Sequence, residues 1–262
     1  MGNRNFRGLK KMNDSPNYPI SIIDICHGLY AKGFVTATDG NVSVRLENGN
    51  ILTTRTAINK GMVTENDLVE VDLSGNVLTG NHLPSTEIGM HLYIYSQRSD
   101  VNAVVHAHPP YATGFATARQ SLNECLFPEV VVGLGAIPLA EYATPSTEEV
   151  ANSLAPFVKV ADAILLSNHG VVTYGKDLWD AYFKMEKVEH AAHITFVARM
   201  LGGEKPLSPE DIERLRSISQ KSYGKDFANK IACDTSCSDE EKSVPSTSTE
   251  DIRELVRKML NT

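Results

Sequence analysis

His106 and His108 are separated by one residue in the run Val104-Val105-His106-Ala107-His108-Pro109-Pro110, and His169 follows a second apolar run in Leu165-Leu166-Ser167-Asn168-His169-Gly170. Residues i and i+2 of a strand project to one face, so the pair can grip a single ion while a distant turn supplies another imidazole. Such a set leaves a coordination position open, which separates a catalytic zinc from a structural one. A lone histidine carries no such meaning, so the reading rests on the constellation. Pro109-Pro110 follows the pair, the carboxylate Glu87 stands upstream at the start of a capped helix, and His169 occupies a tight turn where a core histidine is unexpected. His190 and His193 lie three apart on a long helical run without a nearby carboxylate, so packing or surface roles are expected of them. His27, His82 and His91 have no comparable support.

Periodicity indicates the elements that must position these groups. Residues 20–32 place Ile22, Ile23, Cys26, Leu29 and Tyr30 on a helical face, with Gly33 as the stop. Residues 41–54 alternate as two strands around the turn Glu47-Asn48-Gly49-Asn50, and residues 68–72 and 76–78 form a second hairpin around Leu73-Ser74-Gly75. Pro84-Ser85-Thr86-Glu87 opens a helix, with Pro near its first turn, a hydroxyl residue as cap and N-terminal amides that attract an anion. Residues 101–106, 130–132 and 163–167 read as short apolar strands, and residues 146–154 and 178–201 as helices, the latter stopped by Gly202-Gly203. Ser208-Pro209-Glu210-Asp211 caps a last helix reaching about Gln220, and the core domain is expected to close near Phe227.

The 262 residues are 42% hydrophobic, enough for a sizeable core, and the formal net charge of -7 argues against nucleic acid as a partner. A local positive pocket for an anionic substrate remains compatible with that total. No apolar run approaches the ~20 residues that span a bilayer, and Met1-Gly2-Asn3-Arg4-Asn5-Phe6 lacks the apolar segment of a signal peptide, so no membrane role and a cytoplasmic location are expected. Cys26, Cys125, Cys233 and Cys237 are too few and scattered for a disulfide framework, which suits a reducing compartment. Residues 1–19 read as an N-terminal extension, 20–227 as the catalytic domain and 228–248 as a flexible linker rich in Ser, Thr and acidic residues. Over residues 249–262, Ile252, Leu255, Val256, Met259 and Leu260 form the apolar stripe of an amphipathic helix. Too short to be stable alone, that helix is expected to order against a partner, or else to pack back on its own domain.

The ordered succession Gly40-Asn41-Val42-Ser43, Thr56-Ala57 with Lys60-Gly61, Pro84-Ser85-Thr86-Glu87, His106-Ala107-His108 and Asn168-His169-Gly170 resembles the class II aldolase and adducin-head family, its fuculose-phosphate aldolase branch most of all. The resemblance runs over about residues 20–225 and includes the ending Leu207-Ser208-Pro209-Glu210-Asp211 through Lys221-Ser222-Tyr223-Gly224. It implies an α/β fold, a single three-layer domain whose mostly antiparallel central sheet is flanked by helices, assembled as a homotetramer with active sites at subunit interfaces. It also implies one Zn2+ per subunit on His106, His108 and His169, Glu87 as the catalytic carboxylate, and Tyr223 reaching a neighbouring active site. A substrate phosphate would rest on Asn41, Thr56, the backbone at Ala57, Ser85 and Thr86, a set of hydroxyls, amides and a helix N-terminus that can hold a dianion without arginines.

The activity so implied is reversible cleavage of a deoxyketose 1-phosphate, of the L-fuculose or L-rhamnulose type, to dihydroxyacetone phosphate and an aldehyde such as lactaldehyde. Zinc would bind the C2 carbonyl and C3 hydroxyl, loss of the C4 hydroxyl proton would break C3–C4, and Glu87 would handle the proton at the enediolate carbon. The chain departs from the family near Pro128-Glu129, where the aldolases carry a tyrosine; Glu129 through a water, Tyr111 or Tyr142 are the candidates to replace it. Alternatives on the same scaffold are a 5-deoxyribulose-1-phosphate aldolase, an epimerase, a dehydratase or a decarboxylase, and outside enzymology an adducin-head-like interaction module. Thr86-Glu87, where the epimerases resemble Ser-Asp, leans toward aldol chemistry. The tail helix is similar to peptides that direct enzymes into bacterial microcompartments, which implies shell or core proteins as partners.

Overall fold

A computed structural model of the chain describes residues 17–223. Residues 1–16 of the expected extension, the linker, the tail helix, Cys233 and Cys237 lie outside the described residues. β1 (Asn41–Arg45), β2 (Ile51–Thr54), β3 (Leu68–Val71), β4 (Val77–Thr79), β5 (Ala103–Ala107), β6 (Leu139–Ala140), β7 (Ala163–Leu166) and β8 (Gly170–Gly175) form one sheet in the order β4-β3-β2-β1-β5-β8-β7-β6. Every pairing is antiparallel except that of β6 with β7. Of the helices, numbered in chain order, α1 (Tyr18–Ala31), α3 (Pro110–Thr117) and α6 (Leu178–Met200) cover one face. The other face is covered by α2 (Ile88–Gln97) and α5 (Glu149–Leu154). The expected single α/β domain in three layers is therefore what the described residues adopt.

Strand alternation decides which side chains reach the site. Val42, Val44, Ala103, Val105 and Ala107 bury with Ile22, Leu29 and Met185 on the α1–α6 side, whereas Val104 buries with Met90 and Ile94 of α2. With a side-chain period of two, Asn41, Ser43 and His106 must face α2. Their contacts agree: Asn41 bonds Glu87, and Ser43 bonds His91 and Tyr95. Each fully buried aliphatic side chain is worth roughly 1.5–3 kcal/mol, so cores on both faces make the centre of the sheet a rigid platform. α4 (Pro128–Gly133) and α7 (Pro209–Tyr223) close a smaller cluster around Cys125, Val131, Ala136 and Ile212.

Four local expectations are corrected. Residues 130–132 form no strand: Pro128 supplies N1 of α4, Val130 and Val131 bury on different clusters, and packing overrides the β propensity of three valines. The helix after Pro84 begins only at Ile88 with Glu87 at its N-cap, because Pro84 is held in a bridge with Arg55 and the Ser85 hydroxyl accepts from the Glu87 amide. α5 begins at Glu149, since Ser146 takes a left-handed φ of 65° that no helix continues. Cys125 is disulfide-bonded, against the expectation of reduced cysteines. Among the described residues no helix is long and apolar enough to cross a membrane.

Candidate metal centre

The three histidines converge. His106 lies near the end of β5, His108 just follows the strand, and His169 lies in the β7–β8 turn; one ring nitrogen from each falls within 4.8 Å of the other two. Asn168 turns the chain with a φ of 55°, tolerable for Asn, and the His169 amide donates to the Leu166 carbonyl at 3.0 Å. His106 is fully buried and its Nδ1 donates to the Val171 carbonyl at 2.9 Å, which leaves the Nε2 lone pair facing the other rings. Nε2 of His108 is 3.1 Å from Nε2 of His106, and Nδ1 of His108 is 3.7 Å from Asp39. Burial pushes the His106 imidazole down to about 3 and lowers that of His108, so both present neutral lone pairs at neutral pH.

Glu87 completes the group from the start of α2. Its Oε1 is 3.0 Å from Nε2 of His169, and its Oε2 is 3.4 Å from Nε2 of His106 and accepts from Asn41 Nδ2 at 2.9 Å. Burial alone would raise its pKa, but His106, His169 and the Asn41 amide together hold it well below the usual carboxylate range. Three imidazoles with one carboxylate beside them are a donor set that fits zinc.

Two glycines make the close approaches permissible. At Gly40, with a φ of 72°, a Cβ would come 2.9 Å from the His106 carbonyl oxygen and 2.6 Å from Val35. At Gly170 a Cβ would lie 2.5 Å from Cδ2 of His108 and 2.6 Å from the Ala107 carbonyl oxygen. The glycines beside Asn41 and His169 in the sequence are thus demanded by packing under the ligands.

Of the residues expected at the phosphate, Asn41 and Ser85 bond Glu87, and the Thr56 loop is joined to the loop that carries Ser85. Thr56 N donates to Leu83 O at 3.0 Å and Ser85 N to Thr54 O at 3.2 Å, clamping the two loops side by side. Ala57 takes a left-handed φ of 52°, Ser85 is buried and Thr86 exposed. Asn41 Oδ1 is buried without a partner, an acceptor that an incoming donor would satisfy. Lys60 is buried and donates to the Ile58 and Thr38 carbonyls at 2.7 and 3.3 Å, tying the Thr56 loop to the segment before Gly40. Beside Glu87, a cavity of about 220 Å3 lies between Thr86 and the Ser146-Thr147-Glu148 segment.

The candidates for the missing tyrosine are dispersed. Glu129 is exposed in the first turn of α4, Tyr142 is exposed, and Tyr111 stacks on His193 at 3.9 Å. Tyr223 ends α7, and its side chain lies outside the described residues. The packing role expected of His193 is thus observed. Sequence reasoning missed Asp39, whose signal was its place just before Gly40-Asn41, and Glu189, which bonds the amides of Tyr111 and Ala112 from a distant helix and carries no local signal.

Comparison with known proteins adds to this geometry. Residues 20–196 match the family model described as Class II Aldolase and Adducin N-terminal domain. An L-fuculose phosphate aldolase of Methanococcus maripaludis is 37% identical over 182 residues, 70% of this chain and 98% of that protein. A 3-oxo-tetronate 4-phosphate decarboxylase of Escherichia coli is 32% identical over 200 residues, 74% of this chain and 92% of that protein. Among solved structures, an L-fuculose 1-phosphate aldolase superposes with a TM-score of 0.71 at 33% identity, covering 77% of this chain and 95% of that one.

Proposed function

The chain belongs to the class II aldolase and adducin N-terminal domain family and is an enzyme of the aldolase, or lyase, kind, and on that premise we propose that it cleaves a deoxyketose 1-phosphate to dihydroxyacetone phosphate and an aldehyde. The observation that carries this reading is the meeting of Glu87 with His106 and His169 beside hydroxyl- and amide-lined loops. Class II aldolases are metal-dependent, and His106, His108 and His169 would hold a zinc ion, one per subunit. Bound there, zinc supplies Lewis-acid polarisation of the substrate carbonyl and stabilises the charge that develops on its oxygen. Asn41, Thr56, the Ala57 backbone, Ser85 and Thr86 bind the phosphate and so fix which carbon faces Glu87. Glu87 carries the proton to C3 after the C3–C4 bond has parted. Its hydrogen bond from Asn41 keeps the carboxylate aimed at the ligands.

The decarboxylase relative favours a second reading. Loss of CO2 from a 3-oxo-tetronate 4-phosphate leaves the same three-carbon ketose phosphate, and passes through the same kind of enediolate. Release of dihydroxyacetone phosphate alone therefore does not separate the two. The test is a panel of ketose 1-phosphates and 3-oxo-tetronate 4-phosphate in which the second fragment, aldehyde or CO2, is identified. Aldehyde release from a deoxyketose 1-phosphate, abolished by chelation and restored by zinc, is the expected result; CO2 as the dominant product would replace it with the decarboxylase reading. At the level of assembly the reading includes a homotetramer, with Tyr223 entering a neighbour's site, a cytoplasmic location, and recruitment to a microcompartment through residues 249–262.

A further inference from the structure

We propose that Glu189 is a positioning residue for the metal centre, fixing the direction of His108 from the far side of α3. Its buried carboxylate, on α6, accepts from the Tyr111 amide at 3.0 Å and from the Ala112 amide at 2.9 Å. These donors belong to the first turn of α3, where amides have no partner in their own helix, and the N-cap residue Pro109 offers no side-chain cap. One turn further along α6, the His193 ring stacks on Tyr111 at 3.9 Å and 13°. Glu189 and His193 together therefore hold the start of α3 from i and i+4 positions of one helix.

Between this clamp and His108 stand only Pro109 and Pro110, whose φ angles are locked, so the orientation of the first turn passes to the ligand with little slack. His108 depends on that backbone control. His106 is aimed by its Nδ1 bond to Val171 at 2.9 Å, whereas Nδ1 of His108 faces the part-exposed Asp39 carboxylate at 3.7 Å, a longer and weaker tether. On its other side the His108 amide donates to Phe34 O at 2.8 Å, so the residue is held through the main chain from both directions. A carboxylate buried this far is costly unless its bonds are needed, and its hydrogen bonds fall on the helix turn that follows His108. The Glu189-His190-Ala191-Ala192-His193 motif, unexplained as a metal site, thereby acquires a function.

The inference rests on the histidines being a metal centre and is independent of which carbon–carbon bond is cleaved. Zinc affinity is measured by competition with a chromophoric chelator, and ligand geometry by the visible absorption of the Co2+-substituted protein, for the parent, E189Q, E189A and H193A. K184M serves as the control: Lys184 is also buried on α6 but bonds Asp162, Asp180 and Tyr174 instead of α3. E189Q and E189A should weaken zinc roughly 10–100-fold, the range for outer partners of metal ligands, and alter the Co2+ spectrum. K184M should lower thermal stability and leave both unchanged. Zinc affinity of E189Q within twofold of the parent, or equal weakening in K184M, overturns the proposal. H193A removes only the stacked ring and should weaken zinc about threefold; if neither Glu189 variant folds, an unchanged H193A overturns it. A parent that binds no zinc would instead defeat the metal-centre reading itself.

Discussion

Glu87 is asked to do two things, and its surroundings separate them. It lies against His106 and His169, where it can approach a metal, and it is tethered by Asn41, where it can carry a proton. E87Q keeps the size and the Asn41 neighbour but cannot carry the proton. Turnover of E87Q should fall about 100-fold or more, the usual contribution of a positioned acid–base group, while zinc content stays close to the parent's. Metal analysis beside steady-state rates checks this; loss of zinc in proportion to activity would make Glu87 a ligand first. The residue types at this scale were legible in the sequence, because a His-x-His pair, a third histidine in a Gly-bounded turn and an upstream Thr-Glu announce their chemistry. Asp39 and Glu189 were not, since a carboxylate that acts on a backbone amide or the back of a ring looks like any surface acid until folding brings it there.

The strand β5 and the β7–β8 turn carry the ligands, and what joins them is a contact between backbones. Gly170 opens β8 directly under His108. G170A must therefore push either the imidazole or the Ala107 carbonyl aside. Overpacking of this sort costs roughly 1–3 kcal/mol, which for a domain of this size lowers Tm by about 2–4 °C per kcal/mol. Zinc binding should weaken along with it, as thermal melts with and without added zinc can read; a melt unchanged in both conditions would mean that the turn yields freely. The hairpins β1–β2 and β3–β4 were legible from alternation and turn residues. α4 was not, because Val130-Val131-Val132 has the composition of a strand and only its burial against two clusters makes it a helix. β6, two residues long and paired in parallel with β7, leaves no periodic signal at all.

Across the molecule, the sheet places its ligand strand β5 between β1 and β8, so each neighbour contributes to the site: β1 through Asn41, paired directly with His106, and β8 through the turn that precedes it. The tail poses the remaining question at this scale. If the proposed tetramer and docking role hold, deletion of residues 246–262 should leave activity and assembly intact while abolishing recruitment to microcompartment shells, as size-exclusion chromatography and co-purification can test. Loss of the assembly or of the fold would instead place the helix on its own domain. By itself the sequence determined the mix of strands and helices, the two N-terminal hairpins, the histidines and Glu87, because periodicity and side-chain chemistry are local properties written in order along the chain; the mostly antiparallel sheet was implied by the family resemblance. Only the tertiary structure decided that these groups meet in one cluster, that Gly40 and Gly170 must lack a Cβ, and that α6 reaches across to hold the turn behind His108. Those facts depend on which distant surfaces pack together, and packing is a property of pairs of elements that no single stretch of sequence contains.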